Sequence, residues 1–183
     1  RTREPVYQGH RLRYWVEHPG NIWAEAEDSQ YKARQALRAI GTNAMPWLLR
    51  WLQAKESPFN KVCFAARRKL PDIIADHLPE PVSAGELKSL TLEAIATLGP
   101  QASATVPAMT EMLNDPDTYM ALHAAEVLGK VGPNGMAVLI GGLRDKDVAR
   151  RRLIAESLIR SGPAGKEIIP PLTVALKDPD CEV

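Results

Sequence analysis

The chain repeats one phrase three times, and that repetition limits the folds open to it more than any other feature. Glu93-Ala-Ile-Ala-Thr-Leu-Gly-Pro100 is followed by Leu113-Asn-Asp-Pro-Asp117; Glu126 to Pro133 and Leu143 to Asp147 restate it, as do Ser157 to Pro163 and Leu176 to Asp180. The Gly-Pro steps begin at Gly99, Gly132 and Gly162 and the Asp-x-Asp steps at Asp115, Asp145 and Asp178, so both landmarks recur every 30 to 33 residues. A fixed period of this size is the signature of stacked supersecondary units, each unable to bury its apolar face alone. Between the landmarks the apolar residues keep helical spacing: Leu90, Ala94, Ile95 and Leu98 before the first Gly-Pro, then Val106, Met109 and Leu113 after it. Each unit therefore reads helix, glycine turn, helix. Gly closes the first helix, Pro stops its continuation, and the later Asp of each pair (Asp117, Asp147, Asp180) is placed to cap the next helix. The acidic pairs need no ion for this, and they lack the glycine and distal Glu of a calcium loop.

The stretch Ala124-Ala-Glu-Val-Leu-Gly-Lys-Val-Gly-Pro133, followed by Leu139-Ile-Gly-Gly-Leu-Arg-Asp-Lys-Asp147, resembles the bacterial HEAT-like repeat found in proteins similar to phycobilin lyases. Three units fit from about Ser89 to Asp180. A fourth fits upstream, where Ala36-Leu-Arg-Ala-Ile-Gly41 leads into Met45-Pro-Trp-Leu-Leu-Arg-Trp-Leu52. The resemblance implies an all-α fold, a right-handed α-solenoid with a helical insertion after the first repeat. The expected divisions are an N-terminal capping segment with a short helix (1–27), the first repeat (28–54), the insertion (55–83) and three further repeats (84–115, 116–146 and 147–183), forming one continuous solenoid.

The first repeat lacks the Asp-x-Asp exit and has Lys55-Glu56-Ser57 instead. Ser57-Pro58 is a cap and first turn, and one or two extra helices are expected before Ser83-Ala-Gly-Glu86, a capping box that opens the next repeat. At the N-terminus Leu12, Trp15 and Val16 can form one apolar face, which suits a cap over the first unit. Pro5-Val-Tyr-Gln-Gly9 ahead of that helix is similar to openings of exported bacterial HEAT-repeat proteins, although localisation stays open. The chain begins at Arg1 rather than Met and stops at Val183 as a further helix would begin, so the expectation is either that the natural protein continues or that its last repeat is left uncapped.

Several function classes are disfavoured. With 23 basic and 22 acidic residues the net charge is +1, and no basic stripe of the kind a duplex demands is evident. Arg150-Arg151-Arg152 would point in three directions beside Asp145 and Asp147. The longest apolar run, Met136 to Leu143, is far short of the roughly 20 residues that span a bilayer. His10, His18, His77 and His123 are scattered; His123-Ala-Ala-Glu126 supplies two metal ligands where catalytic sites use three or more, and His123 is expected to face solvent. HEAT-like di-iron hydroxylases carry His-Glu pairs that this chain does not have. Cys63, with no nearby His, reads as a small core residue, and it and Cys181 as free thiols. No cofactor motif is present.

What remains is a surface. At about 100° per residue Met45, Leu48, Leu49 and Leu52 share a core face, which turns Trp47, Arg50 and Trp51 the other way. In HEAT-like proteins second helices line the concave surface, so the resemblance places Trp47, Arg50 and Trp51 there, then Ala108, Glu111 and Met112, then Val138, Gly141 and Gly142, then Pro171, Val174 and Ala175. Two readings of the tryptophans stand: an anchor pocket for a protein or peptide, or a core covered by residues 55–88. Gly141 and Gly142, unusual inside a helix, mark either close approach of a ligand or tight packing between adjacent second helices. The expected function is a non-enzymatic protein- or peptide-binding scaffold, the alternatives being a lyase-like enzyme or enzyme subunit and an architectural segment of a longer array.

Overall fold

A computed structural model describes residues 3–18, 26–71, 74, 81–160, 169, 172–173, 176–178 and 180, with the backbone alone for 26–30. Gly162, Pro171, Val174, Ala175, His77 and Cys181, all singled out in the sequence, lie outside these residues. The molecule is predominantly helical. The helices are α1 (Leu12–Glu17), α2 (Ala26–Ile40), α3 (Met45–Leu52), α4 (Pro58–Arg67), α5 (Ala84–Leu98), α6 (Val106–Met112), α7 (Thr118–Val131), α8 (Pro133–Gly142) and α9 (Val148–Arg160). Short 3-10 turns at Gly41–Ala44 and Gly99–Thr105 lead into α3 and α6.

The turns follow from the punctuation. Gly99 (φ 56°) and Gly132 (φ 105°) end α5 and α7 in a left-handed conformation that a side chain would strain, and the proline after each starts the next turn. Each acidic pair then forms a relay. Asp115 Oδ1 accepts the Asp117 N–H at 2.9 Å, and Asp117 Oδ1 accepts that of Tyr119 at 3.0 Å, capping α7. Asp145, Asp147 and Ala149 repeat the arrangement at 3.0 and 2.9 Å before α9. Ser57 caps α4 through the Phe59 N–H, and Ser83 caps α5 through that of Glu86. Glu56 reaches across the insertion to take the Ala84 N–H at 2.9 Å, which holds its carboxyl below the usual range.

The first helices stack in order, α2 on α5, α5 on α7 and α7 on α9, with α3, α6 and α8 packed against them. One core runs through the stack, from Leu48 through Leu92, Ile95 and Met109 to Leu128, Leu139 and Ile154. Leu52, Leu113 and Leu143 are buried, in matching register; Leu176, aligned with them in sequence, is 86% exposed, and among the described residues no helix beyond α9 packs over it. The three arginines are each engaged. Arg150 donates to Asn114 (2.6 Å), Arg151 grips Asp178 through two bonds (2.7 and 2.8 Å), and Arg152 grips Asp180 through two more (2.9 and 2.6 Å). Arg151, itself buried, also donates to the Asp145 carbonyl and holds the Asp178 carboxyl below its ordinary range.

At the N-terminus Val6–Tyr7 and His10–Arg11 form a two-stranded antiparallel hairpin that the sequence reading did not anticipate, turned by Gln8 and Gly9, both at positive φ. It delivers α1, whose Leu12, Trp15 and Val16 are buried and which contacts α2 and α5. Pro5 O and Glu4 Oε1 take the Leu12 and Arg13 N–H groups at 2.9 and 2.7 Å, capping a helix whose N-cap side chain, Arg11, cannot. The insertion contains α4, and none of its side chains is buried. Cys63 is accordingly half-buried and corrects the expectation of a core thiol: a helix outside the stack has no core to offer it.

Candidate functional site

Helix α3 carries the densest aromatic surface outside the N-terminal hairpin. Met45, Leu48, Trp51 and Leu52 are buried, Trp47 and Leu49 are half-buried and Arg50 is exposed. Trp51, at 8% exposure, corrects the expectation that it turns away from the core. The buried arc takes in Trp51 and leaves Leu49 half-buried, and α3 packs against α5, whose Leu87 lines the same groove as Trp51. The two indoles stand 6.4 Å apart at 53°, and the Arg50 guanidinium carbon lies 5.8 Å from the Trp47 ring centroid, in cation–π range.

These three side chains meet in an open groove of about 520 Å³. Its other lining comes from Gln53 and Ala54 after α3, Leu87 on α5, and Glu4 and Arg13 of the capped N-terminal segment. No residue of α4 is in that lining, so the described insertion helix does not close it. Trp51 forms the protected floor, Trp47 a half-exposed wall and Arg50 a charged rim. Arg13 is partly neutralised by Glu17 at 2.6 Å, which leaves Arg50 and Glu4 as the polar contrast at the mouth. Such a groove can take an apolar or aromatic side chain beside a carboxylate.

The other sequence-predicted residues are not in this groove. Glu111, exposed, and Met112, half-buried, end α6; Gly141, exposed, and Gly142, half-buried, end α8, which contacts α6. The glycine pair divides. A Cβ on Gly142 would collide with the Ile154 side chain of α9, so the close packing there is with the next first helix rather than a second helix. A Cβ on Gly141 would meet nothing within 4 Å. Glu4, Arg13 and Leu87 were missed because they arrive from distant parts of the chain.

A second concavity lies over the first helices. A space of about 320 Å³ between α5 and α7 is lined by Glu93, Tyr119, His123 and Glu126, and past Lys130 it adjoins one of about 260 Å³ bordered by Arg34 and Arg38 of α2. His123 is half-buried here with its ring centroid 4.3 Å from that of Tyr119, against the expectation that it faces solvent; the i, i+4 spacing of the pair was the available signal. Glu126 is held by Arg160 at 3.1 Å. Among the described residues no three His, Cys, Asp or Glu side chains gather as a metal site would require, and no helix is long and apolar enough to cross a membrane.

No curated protein matches the chain. Residues 83–160 match the model of the family described as HEAT repeats, and that stretch holds α5 to α9, the Gly99 and Gly132 turns and the Asp115 and Asp145 relays.

Proposed function

We propose that the chain is a non-enzymatic binding module that captures a protein or peptide segment on the second-helix face, taken as the concave side of a right-handed superhelix, with the α3 groove as its anchor. The partner segment inserts an aromatic or branched aliphatic side chain against Trp47 over the Trp51 floor and offers an acidic group to Arg50. HEAT repeats generally serve protein interaction, which favours this class. The observation that carries the reading is the half-buried Trp47 with Arg50 above it, in a groove of about 520 Å³ left open beside a packed core. Aromatic and arginine side chains in protected pockets dominate binding energy at interfaces. Glu111, Met112, Gly141 and Gly142 would then guide the rest of the segment along α6 and α8.

Panning a displayed peptide library against the protein tests this. Enriched peptides should pair an apolar anchor with an acidic neighbour and lose about 30-fold or more in affinity on Trp47→Ala, as hot-spot truncations do. Peptides that bind Trp47→Ala as well as wild type would place the binding surface elsewhere.

A further inference from the structure

The concavity over the first helices has a chemical order along its length. At its glycine-turn end Arg34 and Arg38, one turn apart on α2, and Lys130 of α7 border a space of about 260 Å³ above Ala96 and Thr97 of α5. That space is open because α5 has Thr97 two residues before its glycine, where α7 and α9 carry Lys130 and Arg160. All three cations are exposed, and among the described residues none of them forms an ion pair, whereas Arg160 is held by Glu126. Glu93 is the one acid in the described lining, so three cations against one carboxylate leave a local charge of +2. The helix dipole accounts for Arg38 and Lys130, in the last turns of α2 and α7, but not for Arg34 a turn earlier. At the other end, in the joined space of about 320 Å³ between α5 and α7, stand the rings of Tyr119 and His123, 4.3 Å apart. Glu126 follows His123 by three residues and precedes Lys130 by four, and Glu93 holds the same place in its unit, six residues before the glycine. The carboxylates thus lie between rings and cations, and the seven residues from His123 to Lys130 rise about 10 Å.

We propose that this concavity binds a nucleoside monophosphate, with the base against Tyr119 and His123, the ribose hydroxyls donating to Glu93, and the phosphate among Arg34, Arg38 and Lys130. A phosphate monoester carries about −1.5 to −2 at neutral pH, which matches the local charge, and a guanidinium fork pairs its oxygens two at a time. A base of any identity stacks on aromatic side chains. The order of the lining selects the class of ligand. A run of acidic side chains laid along the concavity would bring a carboxylate against Glu93, whereas hydroxyl donors are what Glu93 accepts. A ring that bears its phosphate directly is too short for a rise of about 10 Å, and a sugar between the two supplies the missing length. The site shares no lining residue with the α3 groove and does not depend on it.

The test is isothermal titration calorimetry of the full chain with adenosine, guanosine, cytidine and uridine 5′-monophosphates, each compared with its own nucleoside and with inorganic phosphate. At least one monophosphate should bind about tenfold or more tighter than either of its halves, because each half lacks contacts that the other makes. Arg34→Gln and Lys130→Gln should each weaken it about tenfold, the loss of one charge-assisted hydrogen bond, and Tyr119→Ala about tenfold through lost stacking. Arg34 and Tyr119 are exposed, so both variants should keep the wild-type helical circular dichroism and melting midpoint, which separates lost binding from lost folding. Trp47→Ala should keep wild-type nucleotide affinity, which separates this site from the peptide groove. Absence of binding by all four monophosphates at millimolar concentration, or inorganic phosphate that binds as tightly as the best of them, would overturn the proposal. So would retention on immobilised poly-glutamate without nucleotide binding, which would assign the cations to an acidic polypeptide. An Arg34→Gln variant with a lowered melting midpoint and unchanged affinity would also overturn it, leaving the cations as supports of the helix ends.

Discussion

Helices α3 and α4 are neighbours in sequence, of 8 and 10 residues, each with Pro in its first turn and an apolar stripe, and they end in opposite states. Helix α3 buries Met45, Leu48, Trp51 and Leu52, whereas α4 buries nothing. Amphipathicity does not separate them; place in the stack does. Helix α3 follows a glycine turn, as α6 and α8 do, which sets it down against α5. Helix α4 enters through a serine cap with no turn to aim it, and Glu56 and Asn60 tie it to α5 and its approach. In a stacked array the punctuation between helices decides which apolar faces become core and which stay available.

The sharpest test of that contrast is a pair of truncations. Trp51→Ala should cost about 3–5 kcal/mol, the range for removing a large buried side chain. Phe59→Ala should stay within about 0.5 kcal/mol, as surface changes do. Urea unfolding followed by circular dichroism measures both. A Phe59→Ala loss close to that of Trp51→Ala would mean that α4 belongs to the packed stack after all.

How far the contrast could be read in advance depends on contact distance along the chain. The Asp115–Asp117–Tyr119 relay and the Gly99 and Gly132 turns are local, so sequence spacing exposes them fully. The Trp51 floor is not: the 3.6-residue period places Trp51 at the margin of the core arc, and only the packing of α5 decides which side of the margin it takes. Glu4 and Arg13 reach the groove through a hairpin whose Gln8-Gly9 turn can be read locally but whose docking cannot. The Arg151–Asp178 pairing spans 27 residues, just under one repeat, so the sequence neighbours of the arginines do not reveal it.

Within the repeats the contrast predicts that closeness of backbones, not side-chain size, sets tolerance. Gly135, near the start of α8, would drive a Cβ into the Leu128 backbone carbonyl of α7. Gly135→Ala should therefore destabilise by about 1–3 kcal/mol, as overpacking does, and be worse than Ala at any exposed position of α8. Asp117→Ala removes one member of the relay and should cost about 1 kcal/mol, with Asp147→Ala similar because the geometry recurs. Thermal melts of the two aspartate variants that differ by more than the error would show that the repeats are not energetically equivalent.

The smallest effect has the opposite sign and bears on function. Gly141 is exposed, lies inside α8 and leaves open space where a Cβ would stand, so no contact in the fold explains it. Gly141→Ala should stabilise the protein by up to about 1 kcal/mol through helix propensity alone. Gly142→Ala should gain less, since its methyl must displace the end of Ile154. A position that gives up stability without a packing reason is where a partner's backbone would come closest. If peptides selected on the α3 groove extend along α8, Gly141→Ala should weaken them while raising the melting midpoint. A midpoint that rises with capture unchanged would confine the binding surface to α3 and the N-terminal segment, leaving α8 as structure alone.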